Sequence, residues 1–243
     1  DEQLPLFNGA SVIDLKPIEK YLNSFKLNNK SSSLGGLCKI KFKNHFLIID
    51  IDKPPKKNFS KSYQSGPLSF EYFLDGVKII TNSGFGVNIS KKAELLSRLT
   101  ACQSTLSINE TSVTKFEKND IINNIFGNSI RDSFKSYDFF SKNENVLIGC
   151  TAANNGYEKE FGCTHKREIY IDKENNFLKG TDHIFKIKDG HPIRYDFRFH
   201  INPELSLVKT MSGNSALIQI SKNKSLIFTI YNENLEIEKS IFL

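Results

Sequence analysis

The amino-acid sequence predicts an all-β protein: a large antiparallel β-sandwich (a super-sandwich) behind a short helical lead-in segment. Three observations carry this. Apolar and polar residues alternate with period two along many short stretches, as in Leu68, Phe70, Tyr72 and Leu74. Turn signals such as Asp75-Gly76 separate those stretches. No strand–helix–strand alternation, GxGxxG motif or phosphate-binding loop occurs, so a parallel nucleotide-binding sheet is not expected.

The elements follow in order. Residues 1–36 read as a lead-in segment. In it Leu6 and Phe7 come before an Asn8-Gly9 turn. Pro17 opens a helix with Ile18, Tyr21, Leu22 and Phe25 at helical spacing, and residues 31–36 form a flexible joint. The β domain spans 37–243. Residues 37–42 alternate, and 46–51 form a buried-type run that Pro54 and Pro55 end. A Lys/Ser-rich loop follows to Ser62. The alternating stretch 68–74 turns at Asp75-Gly76 into 77–81, a hairpin. Ser90 is an expected N-cap for a short helix to Leu99, with Leu95, Leu96 and Leu99 on one side. Strands are then expected at 105–108, 146–151, 160–166, 168–172, 177–188, 194–201, 205–210, 216–221, 225–231 and 235–242. Within 194–201, Tyr195, Phe197, Phe199 and Ile201 share one face, and Arg194, Asp196, Arg198 and His200 the other. Such patterning implies antiparallel sheets packed face to face.

Composition narrows the function. Thirty-three Lys and Arg against 27 Asp and Glu give a net charge of +6. That excess suits an anionic partner, an acidic polysaccharide or nucleic acid, although scattered lysines equally describe a solvated basic surface. No interleaved Arg/aromatic motif supports nucleic acid. No apolar run approaches the ~18 residues of a membrane span. Cys38, Cys102, Cys150 and Cys163 form no CxxC pair, which disfavours a cysteine zinc site. Cys150 and Cys163 flank an expected hairpin and could lie close, but buried free thiols are the favoured reading. The chain opens at Asp1 without an initiator Met, as after removal of a leader or in a fragment.

Several segments, in order, resemble one family. They are Leu4-Pro5-Leu6-Phe7-Asn8-Gly9-Ala10, then Gly66-Pro67-Leu68-Ser69-Phe70-Glu71 followed by Val77-Lys78-Ile79-Ile80-Thr81-Asn82-Ser83-Gly84. Arg98 to Leu106, Asn155-Gly156-Tyr157, Phe161-Gly162, His165-Lys166-Arg167 and Arg198-Phe199-His200-Ile201-Asn202-Pro203 complete the series. Together they resemble the C-terminal β-sandwich of the heparinase II/III-like polysaccharide lyases. The resemblance implies a preceding N-terminal α/α toroid as partner, with acidic polysaccharide held in the cleft between the domains. It implies β-elimination on uronic-acid polymers, heparin-, heparan- or alginate-like, and a periplasmic or cell-envelope location in a bacterium. The acid and base, usually a Tyr and a His, would come largely from the toroid, so this segment would be inactive alone.

Several family members hold zinc through His, Asp and His. The matching positions here are Gln64, Asn82 and Gln103, and amide oxygens are poor zinc ligands. Neither zinc nor another cofactor is expected, and the amides are expected to hydrogen-bond and hold the hairpin in place. Among the histidines, His183 and His191 read as surface residues and His45 as incidental. Tyr63, Arg98, His165, Arg167, Arg198 and His200 lie inside matching segments and are candidate substrate-binding residues, since Arg grips carboxylates bidentately. The alternative for the 165–200 residues is a polar sheet face satisfied by cross-strand partners such as Asp196 and Glu168. The loop carrying Lys53, Lys56, Lys57 and Lys61 beside the hairpin could attract an anionic chain. An alternative function is a non-catalytic acidic-glycan-binding or scaffolding sandwich.

Overall fold

The computed structural model describes residues 5–10, 16–24, 33–118, 121, 123 and 127–243. Helix α1 (Lys16–Ser24) forms where Pro17 and the apolar spacing placed one. Leu4, Phe25 and part of the expected joint at 31–36 lie outside the described residues, as do the side chains of Ile18 and Leu22.

Every pairing between named strands is antiparallel. A six-stranded sheet joins β1 (Ser33–Leu34), β2 (Leu37–Phe42), β3 (His45–Asp50), β4 (Phe70–Leu74) and β5 (Val77–Thr81), with β12 (His200–Ile201) on the far side of β5. β6 (Leu106–Ile108) pairs with β11 (Tyr195–Phe197). A four-stranded sheet runs in the order β10, β9, β8, β7, from β7 (Ser136–Asn143), β8 (Leu147–Asn154), β9 (Cys163–Asp172) and β10 (Phe177–Lys186). β13 (Ser206–Lys209), β14 (Ser215–Ser221) and β15 (Lys224–Thr229) form a three-stranded meander. Two short helices, α2 (Lys91–Ser97) and α3 (Glu158–Phe161), bridge strands.

Inward residues of the sheets meet in one core: Ile40, Leu47, Ile49, Phe70, Tyr72 and Ile79 face Ala152, Ile169, Ile171 and Ile218. A second cluster of Tyr63, Leu106, Ile108, Ile130, Phe134, Tyr157 and Phe161 packs beneath the long connections. The architecture is the antiparallel sandwich that the alternation implies.

The β4–β5 hairpin closes through Asp75 and Gly76 at φ 52° and 78°, the left-handed pair that a two-residue turn needs. Glu71, fully buried on β4, pairs with Lys78 on β5 at 2.9 Å. Its other oxygen accepts the N–H groups of Leu6 and Asn82, each at 3.1 Å, and the Thr81 hydroxyl at 3.2 Å. A carboxylate inside the sandwich thereby binds the lead-in to the hairpin, and Leu6 is itself buried. The lead-in around Leu6 is part of the packed domain. Ser90 caps α2 by accepting the Ala93 N–H at 3.0 Å.

Five differences from the sequence reading have physical causes. Glu160 and Phe161 are helical, because Gly162 at φ 66° ends α3 and the strand starts only at Cys163. The stretches 160–166 and 168–172 are thus one ten-residue strand, β9. Residues 194–201 divide into β11 and β12, since the chain leaves β6 and crosses to β5 between Phe197 and His200. Residues 235–242 form no strand; Leu235 N–H bonds Gly213 O and Leu243 N–H bonds Ser83 O, separate anchors without a ladder. β7 has no clean alternation, because a bulge between Tyr137 and Phe140 shifts its register and its side chains are mostly exposed. Among the described residues no helix is long and apolar enough to cross a membrane.

Ile49 has no exposed surface, whereas Ile227 on β15 is 65% exposed. Ile49→Ala is therefore expected to lower unfolding free energy by about 2–5 kcal/mol. Ile227→Ala should change it by no more than about 0.5 kcal/mol. Urea denaturation of the two variants checks both values.

Candidate functional site

The turn before β4 organises the polar centre of the molecule. Leu68 is buried with φ 59°, a left-handed conformation that is strained for a residue with a branched side chain. Its N–H bonds Asp50 O at 3.0 Å, and its carbonyl accepts from Arg167 at 2.8 Å. The neighbouring Pro67 carbonyl accepts the Thr105 hydroxyl at 2.6 Å.

Arg167, on β9, reaches this turn from the opposite sheet. It grips Asp182 of β10 with two bonds, Nε to Oδ1 at 2.7 Å and Nη2 to Oδ2 at 3.0 Å. Its remaining nitrogen, Nη1, donates to Leu68 O and to Ser104 O at 2.9 Å. The guanidinium lies near the Phe70 and Phe199 rings, at 5.3 and 5.9 Å from their centroids. His165 completes the group, with Nε2 at 2.7 Å from Asp182 Oδ1. Burial opposes the Asp182 carboxylate, but Arg167 and His165 outweigh it and hold the carboxyl well below its usual range. Burial also lowers the His165 pKa, against the pull of Asp182.

Arg98 does the same for the lysine loop. Its Nε donates to Tyr63 O at 2.9 Å, Nη2 to Ser60 O at 2.8 Å and Nη1 to Asn128 O, while its face covers Phe116 at 4.2 Å. Burial brings its pKa down to about 10, which leaves it charged at neutral pH. The Ser60 hydroxyl donates to Lys57 O at 2.7 Å and accepts the Ile130 N–H at 2.9 Å. These bonds hold the loop from below. Above them Lys53, Lys56, Lys57 and Lys61 are exposed, with Phe59 77% exposed among them. Lys57 pairs with Glu117 at 3.4 Å; among the described residues the other three lysines have no carboxylate at ion-pair distance.

The candidate substrate-binding residues are therefore placed unevenly. Tyr63, Arg98, His165, Arg167 and His200 are all buried, and the polar ends of the four basic ones are spent inside the domain. For Arg167 and His165 the arrangement is that of a polar group satisfied by a cross-strand partner. The carboxylate that Arg167 grips is Asp182, neither of the suggested partners Asp196 and Glu168. Tyr63 has its hydroxyl buried with no hydrogen-bond partner among the described residues, and burial raises its pKa well above normal. His200 lies between Ala101 O at 3.1 Å and the Ser240 hydroxyl at 2.9 Å. Arg198 is only partly buried and bonds the Ser107 hydroxyl, with Asp196 at 3.6 Å. His45 is buried and bonded to the Tyr72 hydroxyl at 2.7 Å, while His183 is half-exposed within β10 and not in a turn.

Gln64, Asn82 and Gln103 do come together as buried residues. Gln64 Oε1 accepts the Gly9 N–H at 3.0 Å, and its nitrogen donates to Gly84 O and Ser97 O. Gln103 donates to the same Ser97 carbonyl at 2.9 Å, and Asn82 Oδ1 accepts the Ser104 N–H at 2.9 Å. The amides bond to backbone groups of the hairpin surroundings. The oxygens of Gln64 and Asn82 already face N–H donors, and a set of neutral amides does not balance a dication, so these residues do not fit zinc. Among the described residues no group of three or more His, Cys, Asp or Glu side chains could hold a metal ion.

Sequence reasoning missed Asp182, Glu71 and Phe59. Asp182 was within reach by counting, since β9 ends at Asp172 and β10 starts at Phe177, and stepping back five and forward five pairs Arg167 with Asp182.

The comparisons agree on the fold. The family model described as "Heparinase II/III-like, C-terminal" matches residues 28–243. A crystal structure of heparan sulfate lyase HepC from Pedobacter heparinus superposes with TM-score 0.70 at 14% identity, over 96% of this chain and 37% of that one. A crystal structure of heparinase III superposes with TM-score 0.66 at 14% identity, over 93% of this chain and 37% of that one. The chain thus spans little more than a third of the length of these solved relatives. No curated protein matches by sequence.

Two outcomes follow from the buried charges. Arg167→Met strands the Asp182 carboxylate and should cost about 3–5 kcal/mol, with a smaller loss in the Arg167→Met/Asp182→Asn double variant, measured by urea denaturation. Asp50 is buried, and burial raises its pKa to about 7, so its folded form binds a proton more readily than the unfolded chain does. Its contribution is present at low pH and is lost as pH rises through about 7. Asp50→Asn should therefore gain stability relative to the parent chain at pH 8 compared with pH 5, read from thermal midpoints at the two values.

Proposed function

The chain belongs to the heparinase II/III-like family as its C-terminal domain, and we propose that it forms the polyanion-binding wall of a polysaccharide lyase. The substrate class is a uronic-acid polymer of the heparin, heparan or alginate kind. The partner is an N-terminal helical toroid that supplies most of the acid–base chemistry, in a bacterial periplasm or cell envelope. β-Elimination needs the uronate carboxylate neutralised, a base for the C5 proton and an acid for the leaving oxygen.

One observation carries the reading for this domain. Lys53, Lys56, Lys57 and Lys61 surround the exposed Phe59 on a loop whose carbonyls are held by the buried Arg98. Anchoring lowers the entropy lost when the loop meets a chain of carboxylates and sulfates. The Phe59 ring offers a flat apolar face to the C–H side of a sugar. Lysine ammonium groups supply charge without a fixed geometry, which suits a repeating anion whose register is free.

A second reading, an acidic-glycan-binding sandwich without catalysis, is favoured by Gln64, Asn82 and Gln103, whose amides are committed to backbone groups. Both readings require the loop. With Lys53, Lys56, Lys57 and Lys61 all changed to Ser, the full chain should leave a heparin column at lower salt than the parent, and circular dichroism should be unchanged. Unchanged retention sinks the role of the loop. Joined to its helical toroid and incubated with heparin-, heparan- and alginate-like polymers, the protein should release unsaturated products that absorb in the near ultraviolet. Retention on heparin with no such absorbance for any polymer would reject the lyase and support the second reading.

A further inference from the structure

Four thiols are free in the molecule, and two of them face each other across the sandwich. Cys38 lies on β2 of the six-stranded sheet and Cys150 on β8 of the four-stranded sheet. Both belong to the core between the sheets, exposed by only 1% and 0%. Each thiol shifts the ionisation of the other, as adjacent sulfurs do. β2 and β8 bring Cα atoms within 8 Å of one another, nearer than the ~10 Å usual between packed sheets. The inward neighbour Ala152 is small enough to permit that approach.

The other two cysteines are elsewhere. Cys163 belongs to the second core cluster. Cys150 is opposite Ile169 in the β8–β9 register, which leaves Cys163 six residues further along, about 20 Å at ~3.3 Å per residue. The hairpin-flanking pair Cys150 and Cys163 is thus too far apart to bridge. Cys102 sits beside Ser83.

We propose that Cys38 and Cys150 form a cross-sheet dithiol site that closes to a disulfide when the chain folds in the presence of a disulfide oxidant. One cysteine thiolate attacks a sulfur of the oxidant, and the oxidant's other sulfur leaves as a thiolate. The second cysteine, deprotonated, then attacks the mixed disulfide and expels the remaining oxidant thiolate. Two protein S–H bonds become one S–S bond, and the oxidant's S–S bond becomes two S–H groups. Burial of both sulfurs confines the reaction to folding, before the sheets close. The link would span roughly 110 residues of chain and constrain the unfolded state accordingly.

The test refolds the full chain from denaturant with reduced and oxidised glutathione, alkylates free thiols and maps peptides without reduction. The expected map shows a Cys38–Cys150 linked peptide pair, with Cys102 and Cys163 alkylated. Alkylated Cys38 and Cys150, or a link from either to another cysteine, overturns the proposal. Cys163→Ser should keep the link, and its loss there would also count against the pairing. Cys38→Ser should leave Cys150 alkylated. The linked parent should melt higher without reductant than with it, a difference absent in Cys38→Ser. Should Cys38→Ser fail to fold, the map of the parent chain decides alone.

Discussion

A single guanidinium holds the two halves of this sandwich in register. Arg167 satisfies a carboxylate on its own sheet and two backbone carbonyls of the opposite side, Leu68 and Ser104, from a position without access to water. Each of those carbonyls belongs to irregular chain that no sheet ladder can satisfy, and a buried carbonyl without a donor is costly. Arginine suits the place because its planar fork offers five donors at fixed angles while remaining charged. The charge is balanced within the same group by Asp182, and the ring faces of Phe70 and Phe199 cover what remains. The strained Leu68 turn, and hence the start of β4, depends on this arrangement.

The same device recurs around the molecule. Arg98 binds the carbonyls of Ser60, Tyr63 and Asn128 under the lysine loop, and Glu71 collects N–H groups from the lead-in and from the end of β5. Gln64 and Gln103 bind carbonyls around α2 and the hairpin. Polar residues that stand where the family's motifs lie therefore act in this chain as struts for loops. In the proposed reading, recognition falls to what the struts present outward, the lysines around Phe59. Rigidity below and charge above are linked, because a loop already ordered by Arg98 loses less entropy on meeting a polymer.

Much of the fold was legible from local chemistry. Asp75-Gly76 specified the hairpin because few residues tolerate two successive positive φ values. Ser90 specified the start of α2 because its hydroxyl replaces a missing helical acceptor. The strands β2 and β13 to β15 followed from alternation or turn spacing, and β3 to β5 from apolar runs and the hairpin turn, being buried almost throughout. β7 was not legible, since an exposed and bulged strand carries little such pattern. Residues 235–242 were misread for the converse reason: their alternation has no strand beside it to pair with.

What the sequence determined by itself was the antiparallel sandwich and its family, because period-two patterning, turn residues and ordered motifs are local properties. Which charges are buried was decided only by tertiary structure. Arg167 and Lys53 are both cations in a sequence, and nothing local separates a strut inside the core from a charge facing solvent. The separation arises when two sheets close on each other and the irregular turns between them bring carbonyls that must find donors. For the same reason Cys38 and Cys150, far apart along the chain, became neighbours only when β2 and β8 came face to face.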